Sequence, residues 1–284
     1  MAGETNPSPL STLKARLMAG LFGIAFYNTI EIFFLIFARF RRRRGRYFWS
    51  MVAAATGIPT HAIAFLLRYY QIASSAAMGA FSILGWCLMV TGQSVVLWSR
   101  LHLVVDNPVK IRLVLLMIIV NALALHIPET VIFVLMQTNP GPYLHVFHIY
   151  ERVEIVVFSM QEAIISGLFL WDGYHSFQTL IALRGAQGRM IAAHLATLFF
   201  INILLDSVLI ILEYTDHFDL ETACKPLIYS IKLKVEFIIL NQLAVFIRQT
   251  PALAFRVTDT VSNPHIQPPE SNVTVDSRRV LSIR

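Results

Sequence analysis

The stretch Met78–Ser99, which reads MGAFSILGWCLMVTGQSVVLWS, contains no charged residue and decides the fold class. A helix needs roughly 20 mostly apolar residues to cross a hydrocarbon core of about 30 Å. Lipid offers the backbone no hydrogen-bond partners, so a segment of this length crosses a membrane as a helix. Met78–Ser99 is therefore predicted to be a transmembrane helix.

Similar apolar stretches occur on both sides of this segment, separated by charged or turn-rich residues such as Asn139–Pro142. Of the 284 residues, 56% are hydrophobic and 14% are charged, whereas a typical soluble domain is about 25% charged. We predict an all-α polytopic membrane protein, a bundle of seven transmembrane helices. The other six spans are Leu17–Ala38, Phe48–Tyr69, Arg112–Met136, Arg152–Gly173, Met190–Glu213 and Pro226–Ile247.

The positions of the 23 Lys and Arg residues predict the orientation of this bundle. Short cytoplasmic loops carry an excess of Lys and Arg. Most of these residues fall on one side when the N-terminus is placed outside, and the acids Asp216, Asp219 and Glu221 then lie in an outer loop. We predict an N-terminus outside and a cytoplasmic C-terminus, so the net charge of +6 reflects topology and no nucleic-acid partner is expected. The first cytoplasmic loop anchors this topology and can bind anionic lipid through Arg39, Arg41, Arg42, Arg43, Arg44 and Arg46.

The chain divides into three parts. Residues 1–16 are predicted to form a short extracellular tail, and 17–248 the transmembrane domain. Residues 249–284 are predicted to form a disordered cytoplasmic tail, because a segment rich in Pro, Ser, Thr and Asn buries little apolar surface. The plasma membrane is the expected location, with an internal membrane as the alternative.

Ionisable residues inside a membrane span are costly, so they usually face the bundle interior and are candidates for function. Counting about 1.5 Å per residue from the outer end of each span places one polar set in the outer half of the bundle. We expect this set to line a ligand pocket, with pairing between helices as the alternative. Asp206 and Lys232 have matched depths and are expected to neutralise each other. The outer set comprises His126, Glu129, Glu162, Asp206, Lys232 and Glu236.

A second polar set lies nearer the middle or the inner half of the bundle. We expect these side chains to join helices through hydrogen bonds, which stabilise helix packing in lipid. The second set comprises Asn28, Glu31, His61, Gln93 and Asn121.

The predicted topology favours a receptor-like sensor of a small ligand. Arg100 ends the third span on the cytoplasmic side, and Arg100 and His102 are candidates for coupling to a cytoplasmic signalling partner. The match to rhodopsin-like receptors is partial, because Ser99 precedes Arg100 where those receptors have an acid. The alternative is a transporter or channel that moves a small solute or protons along the intramembrane acids and Lys232.

No enzyme, cofactor or metal is predicted. A retinal Schiff base on Lys232 would need a carboxylate counter-ion, which microbial rhodopsins supply from the third helix. The third span here, Met78–Ser99, contains no carboxylate. His145 and His148 lie in the predicted fourth loop without two further ligands at a suitable spacing. The histidines of the spans fall on different helices at different depths, and no convergent catalytic set is visible.

Several short stretches of the sequence resemble those of one known family. They are Phe26–Asn28 with Glu31, Arg46–Ser50 (RYFWS), Thr91–Leu103 (TGQSVVLWSRLHL), Asn121 with His126–Pro128, and Gln161–Glu162 with Ile165–Gly167. The chain resembles a family of fungal seven-span membrane proteins described only as a domain of unknown function. The resemblance covers roughly residues 17–250. It implies a fungal source and a multi-pass membrane location, and it supplies no activity.

The orientation can be tested at Asn272, which begins the acceptor sequence Asn272-Val273-Thr274 for N-glycosylation. We expect this residue to carry no glycan, because the predicted C-terminal tail is cytoplasmic. Glycosidase treatment should therefore leave the electrophoretic mobility of the protein unchanged. A mobility shift that disappears in Asn272→Gln would overturn the predicted orientation.

Overall fold

The computed structural model consists of α-helices throughout the part of the chain that it describes. The described residues are 12–39, 45–70, 72–102, 104–105, 107–138, 140–184, 186–215 and 220–239. The helices are α1 (Thr12–Arg39), α2 (Arg46–Tyr69), α3 (Ser75–Leu101), α4 (Pro108–Thr138), α5 (Pro140–Arg184), α6 (Ala186–Tyr214) and α7 (residues 220–239). The all-α class is confirmed. The predicted C-terminal tail, Asn272 and the arginines at 41–44 lie outside the described residues.

Six helices, α1 to α6, are long and apolar enough to cross a membrane, which confirms a multi-pass membrane protein. The longest apolar segments within them are Lys14–Ala38, Arg46–Tyr69, Ser75–Leu101, Pro108–Met136, Tyr143–His175 and Ala193–Tyr214. The seventh helix overlaps the predicted span Pro226–Ile247, but several charged side chains in 220–239 keep it outside this group.

Large apolar side chains cover the outside of the bundle. On α4, Leu113, Leu116, Val120 and Leu123 are each more than half exposed. A soluble protein rarely leaves so large an apolar surface uncovered, whereas hydrocarbon chains of lipid match it. This surface is therefore the expected lipid contact.

The helices α2 and α3 run antiparallel and approach each other backbone to backbone through glycines. A Cβ atom on Gly57 would lie 2.7 Å from the carbonyl oxygen of Gly85, and one on Gly92 would lie 2.8 Å from the amide nitrogen of Ala54. Small residues at helix interfaces allow this close approach in membranes. The pair forms the packed centre of the fold and places His61 of α2 beside the first half of α3.

The polar groups lie in two halves of the bundle, each named here after a helix end that it contains. We call the half that contains the end of α2 at Tyr69 the Tyr69 half, and the half that contains the end of α3 at Leu101 the Leu101 half. In the predicted orientation the Tyr69 half is the outer one.

The junction between α4 and α5 differs from the expectation of a loop. The helix α4 ends at Thr138 and α5 begins at Pro140. Proline suits the first turn of a helix, where its missing N–H has no intrahelical acceptor and its fixed φ is already helical. The segment 140–142 of the predicted turn therefore belongs to α5, and His145 and His148 lie on α5 rather than in a loop.

The close contact between α2 and α3 makes Gly85→Ala a sharp test of the packing. The added methyl group would overlap the backbone of His61, whereas in Gly23→Ala it meets no atom within 4 Å. Overpacking costs about 1–3 kcal/mol, so we expect Gly85→Ala to lower the apparent unfolding temperature in detergent. Gly23→Ala should leave that temperature unchanged or slightly raised, because alanine favours helix over glycine. Equal temperatures for the two variants would contradict this packing.

Candidate functional site

One face of α7 carries a row of buried polar side chains, which we call the α7 column: Glu221, Lys225, Tyr229, Lys232 and Glu236. They follow one another at spacings of four, four, three and four residues, which keeps them on one side of a helix. None of them is more than 4% exposed. The helix rises about 22 Å along the column at roughly 1.5 Å per residue. This length equals most of the thickness of a hydrocarbon core of about 30 Å.

Lys232 lies at the centre of the column between two acids. Its Nζ is 2.8 Å from Oε2 of Glu162 on α5, and it also pairs with Asp206 on α6. The ammonium lies 5.0 Å from the centroid of the Tyr229 ring. The structure thus contains the predicted Asp206–Lys232 pair and adds Glu162 to it.

Arg100 of α3 pairs with Glu236 in the Leu101 half. Asn202 of α6 donates a hydrogen bond of 3.5 Å to the other oxygen of the Glu236 carboxylate. Arg100 also donates to the backbone carbonyl of Glu236 at 3.4 Å and is 3% exposed. The guanidinium therefore points into the bundle. In this state it does not present itself at the membrane edge as expected for a coupling residue, because a buried acid on α7 attracts it.

His102, the other coupling candidate, directly follows α3 and is exposed. Partial burial of its ring and the neighbouring charge of Arg46 lower the pKa of His102. The Arg46 guanidinium itself lies 5.8 Å from the Trp98 ring centroid. Arg46 and His102 thus lie close together at the surface of the Leu101 half.

Lys225 of the column is held by acids in the Tyr69 half. Its Nζ lies 2.8 Å from Glu151 of α5 and 2.6 Å from Glu221 of α7. Glu213 joins the same group of carboxylates, whose oxygens lie within 4.8 Å of one another. The Lys225 ammonium also lies 4.7 Å from the centroid of the Trp86 ring. Sequence reasoning missed this group because Lys225 and Glu221 lie just before the predicted seventh span, although their spacing of four residues was a usable signal.

His126 and Glu129 of the predicted outer set lie on α4 and face α5. The Nδ1 atom of His126 is 2.9 Å from Glu154 and 3.7 Å from Glu129. Its Nε2 atom is 3.0 Å from the hydroxyl of Thr91 on α3. Glu154, which is fully buried, was not among the candidates.

The predicted outer set is therefore divided between three clusters. Lys232 joins Glu162 to Asp206, Glu236 pairs with Arg100, and His126 lies with Glu129. The depth of a residue along its span predicted which residues lie in the interior, but it did not predict the cluster to which each one belongs.

Two members of the second predicted set join α1 to α7. On α1, Asn28 donates a hydrogen bond of 3.2 Å to Ser230, and Glu31 lies 2.6 Å from Lys234, so this helix is bound to α7.

The other members of this set lie on α2, α3 and α4. Asn121 donates to Gln161 at 2.8 Å, and Gln161 donates to Ser94 at 2.9 Å, which links α4, α5 and α3. His61 places Nδ1 3.0 Å from a backbone carbonyl oxygen of α3. Among the described residues, Gln93 is 1% exposed and its amide has no hydrogen-bond partner.

Two small cavities lie at opposite ends of the α7 column. The cavity of the Tyr69 half, the His61 pocket, has a volume of about 50 Å³, enough for about three ordered waters at roughly 15 Å³ each. The cavity of the Leu101 half, the Asn202 pocket, has a volume of about 20 Å³ and is bordered by Arg100 and Glu236. The lining of the His61 pocket includes His61, Arg68, Trp86, Glu129, Phe133 and Glu151.

The family of the chain follows from residues 5–255, which match the model of DUF7703, described as a domain of unknown function. The chain belongs to this family. No curated protein and no solved structure matches it. The matched range contains all seven helices, the α7 column and both cavities, so these features belong to the DUF7703 domain of this chain.

Two acids share the ammonium of Lys232, so replacing this residue is expected to lower the stability of the DUF7703 domain strongly. Lys232→Met would leave Glu162 and Asp206 buried without a counter-charge, and breaking a buried ion pair typically costs about 3–5 kcal/mol. We expect a strongly lowered unfolding temperature in detergent. Adding Glu162→Gln and Asp206→Asn to Lys232→Met should restore most of the loss.

The matched control is Lys110→Met, because Lys110 is 47% exposed and pairs with Asp172 on the surface. Exposed ion pairs contribute about 0–1 kcal/mol, so this control should change the unfolding temperature little. A Lys232→Met variant as stable as Lys110→Met would contradict the described ion pairs.

Proposed function

We propose that this DUF7703 protein is a non-enzymatic, receptor-like sensor that binds a small ligand in the His61 pocket. In this proposal the chain crosses the membrane seven times with its N-terminus outside, so the pocket opens toward the outer half. The observation that carries the proposal is the composition of the pocket, where charged groups meet an aromatic wall beside the α7 column. Ligand sites typically combine an apolar lining with a few convergent polar groups in this way.

The polar groups of the pocket suit a small ligand with both donors and acceptors. Glu129 and Glu151 present carboxylates, and Nε2 of His61 and the hydroxyl of Thr222 are buried and have no hydrogen-bond partner among the described residues. A ligand that replaces waters at these atoms gains affinity when it reproduces their hydrogen bonds. The Trp86 ring supplies apolar contact at the same place.

The α7 column supports a route from the pocket to the opposite half of the bundle. Glu151 lines the pocket and also holds Lys225 of α7. At the other end of the same helix, Glu236 holds Arg100. A ligand that binds one arrangement of Glu151 more tightly shifts the helix toward that arrangement. In this proposal the shift releases Arg100 toward the cytoplasmic surface, where His102 contacts a signalling partner.

A second candidate function is a transporter or channel for protons or a small solute. The specific observation in its favour is the length of the α7 column, with a cavity at each end. Buried acids, lysines and histidines in series form proton relays in membrane pumps and transporters. In this alternative the acids around Lys232 exchange protons between the two cavities.

Ligand binding can be tested by a thermal-shift screen of very small polar compounds against the purified chain. Gly79→Ala should weaken true pocket ligands at least tenfold, because the new methyl group would overlap the Phe133 ring in the pocket wall. Gly23→Ala, which meets no neighbour, is the matched control and should bind like the wild type. Hits that bind Gly79→Ala and wild type equally would contradict the His61 pocket as the site.

Flux measurements separate the two candidate functions. Liposomes containing the purified protein and a trapped pH-sensitive dye should show no protein-dependent proton flux if the protein is a sensor. Proton flux that is abolished by Asp206→Asn would overturn the sensor proposal and support the transporter, because Asp206 pairs with Lys232 of the column.

Three further features remain predictions beside the proposed function. They are the fungal source, the binding of anionic lipid by the first cytoplasmic loop, and the plasma membrane location. Microscopy of a fluorescently tagged chain distinguishes the plasma membrane from an internal membrane.

A further inference from the structure

Two buried carboxylates near the His61 pocket share one basic side chain, the imidazole of His126, among the described residues. Glu129 of α4 is 6% exposed and Glu154 of α5 is fully buried, and both face the imidazole of His126. Among the described residues, neither acid forms an ion pair with a Lys or Arg. One imidazolium can neutralise only one of them, and an uncompensated charge in an apolar interior is strongly unfavourable.

In the neighbouring acidic group of Glu151, Glu213 and Glu221, the carboxylates do have basic partners. Glu151 and Glu221 both contact the ammonium of Lys225, and Glu213 lies 3.7 Å from Arg152. The lysine and arginine therefore supply the positive charge of that group. In the part of the chain that the structure describes, no lysine or arginine forms an ion pair with the cluster around His126, which contains the thiol of Cys87 instead.

We propose that Cys87, His126, Glu129 and Glu154 bind one divalent transition-metal ion, with Zn²⁺ as the best match. One ligand atom each from Cys87, His126 and Glu129 lies within 4.8 Å of the others, and Glu154 is 2.9 Å from Nδ1 of His126. Zinc bonds of about 2.0–2.3 Å place tetrahedral ligands about 3.3–3.8 Å apart. Shifts of about 1 Å therefore bring Cys87, His126 and Glu129 around one ion, with Glu154 beside His126 as the fourth ligand of the proposed site.

Thr91 orients the imidazole for this role. Its hydroxyl lies 3.0 Å from Nε2 of His126 and can accept the Nε2–H hydrogen bond, which leaves the lone pair of Nδ1 toward the acids. Metal-binding histidines almost always donate their other ring N–H to such a partner. The Phe158 ring, whose centroid lies 5.0 Å from that of His126, stacks on the imidazole and holds its plane.

The ligand types select the metal. A thiolate, an imidazole and carboxylates suit Zn²⁺, whereas Mg²⁺ and Ca²⁺ prefer oxygen ligands alone. Binding deprotonates the Cys87 thiol, and the proton leaves to water. Glu129 also borders the His61 pocket, which gives the ion an access route.

The bound ion would join α3, α4 and α5. Cys87 lies on α3, His126 and Glu129 lie on α4, and Glu154 lies on α5. This site does not rest on the sensor proposal, because the chain can hold the metal whether or not the His61 pocket binds another ligand.

The test uses the full chain, purified in detergent with a tag that contains no histidine, and titrated with Zn²⁺ or Co²⁺ alone. We expect one tightly bound ion per chain by elemental analysis, and with Co²⁺ a near-ultraviolet thiolate-to-metal absorption band. Cys87→Ser should abolish that band, and His126→Ala should weaken Zn²⁺ binding at least tenfold. Thr91→Val should weaken it about 10- to 100-fold, as loss of a hydrogen bond to a metal ligand does.

Cys224→Ser is the matched control, because Cys224 is the other cysteine of the chain and lies outside the cluster. It should keep both the Co²⁺ band and the affinity of the wild type. Folding of each variant is checked by size-exclusion chromatography, and Thr91→Val and Cys87→Ser are mild enough to test the site if His126→Ala unfolds. Absence of a stoichiometric ion, or a band that survives Cys87→Ser, would overturn the proposal.

Discussion

The burial of Lys232 between Glu162 and Asp206 is the interaction on which the packing of α5, α6 and α7 depends. An ammonium in an apolar interior is strongly unfavourable unless its hydrogen bonds and its charge are satisfied. Two carboxylates from two helices satisfy it here. The bundle must therefore hold all three helices in register, and the acids and bases above and below Lys232 on α7 extend the same constraint toward both ends.

Most of the fold could be predicted from the sequence because the length of each apolar segment can be read directly from the order of the residues. The apolar stretches locate the helices, and depth counted from span ends brought Asp206 and Lys232 together. The direction in which a side chain points around its helix is not contained in that count. Arg100 was expected at the membrane edge and instead reaches Glu236, and Glu154 went unnoticed although it is fully buried.

The candidate sites were harder to predict than the fold because their members are distant in sequence. Cys87 and His126 lie on different helices and share no spacing pattern that a metal motif would show. The His61 pocket likewise takes residues from α2, α3, α4, α5 and α7. At the start of α5, by contrast, a local signal was misleading. Proline and glycine predicted a turn there, although Pro140 begins a helix.

The charge content of α7 has a consequence for how the protein is made. Each charged residue at the centre of a segment opposes insertion into the membrane by about 2.5–3.5 kcal/mol, and α7 carries several, including Lys225, Lys232 and Glu236. In the proposed seven-span arrangement, α7 is too polar to enter lipid alone. It would then need helices already in place, whose acids neutralise its lysines, so the insertion of α7 would depend on the earlier helices.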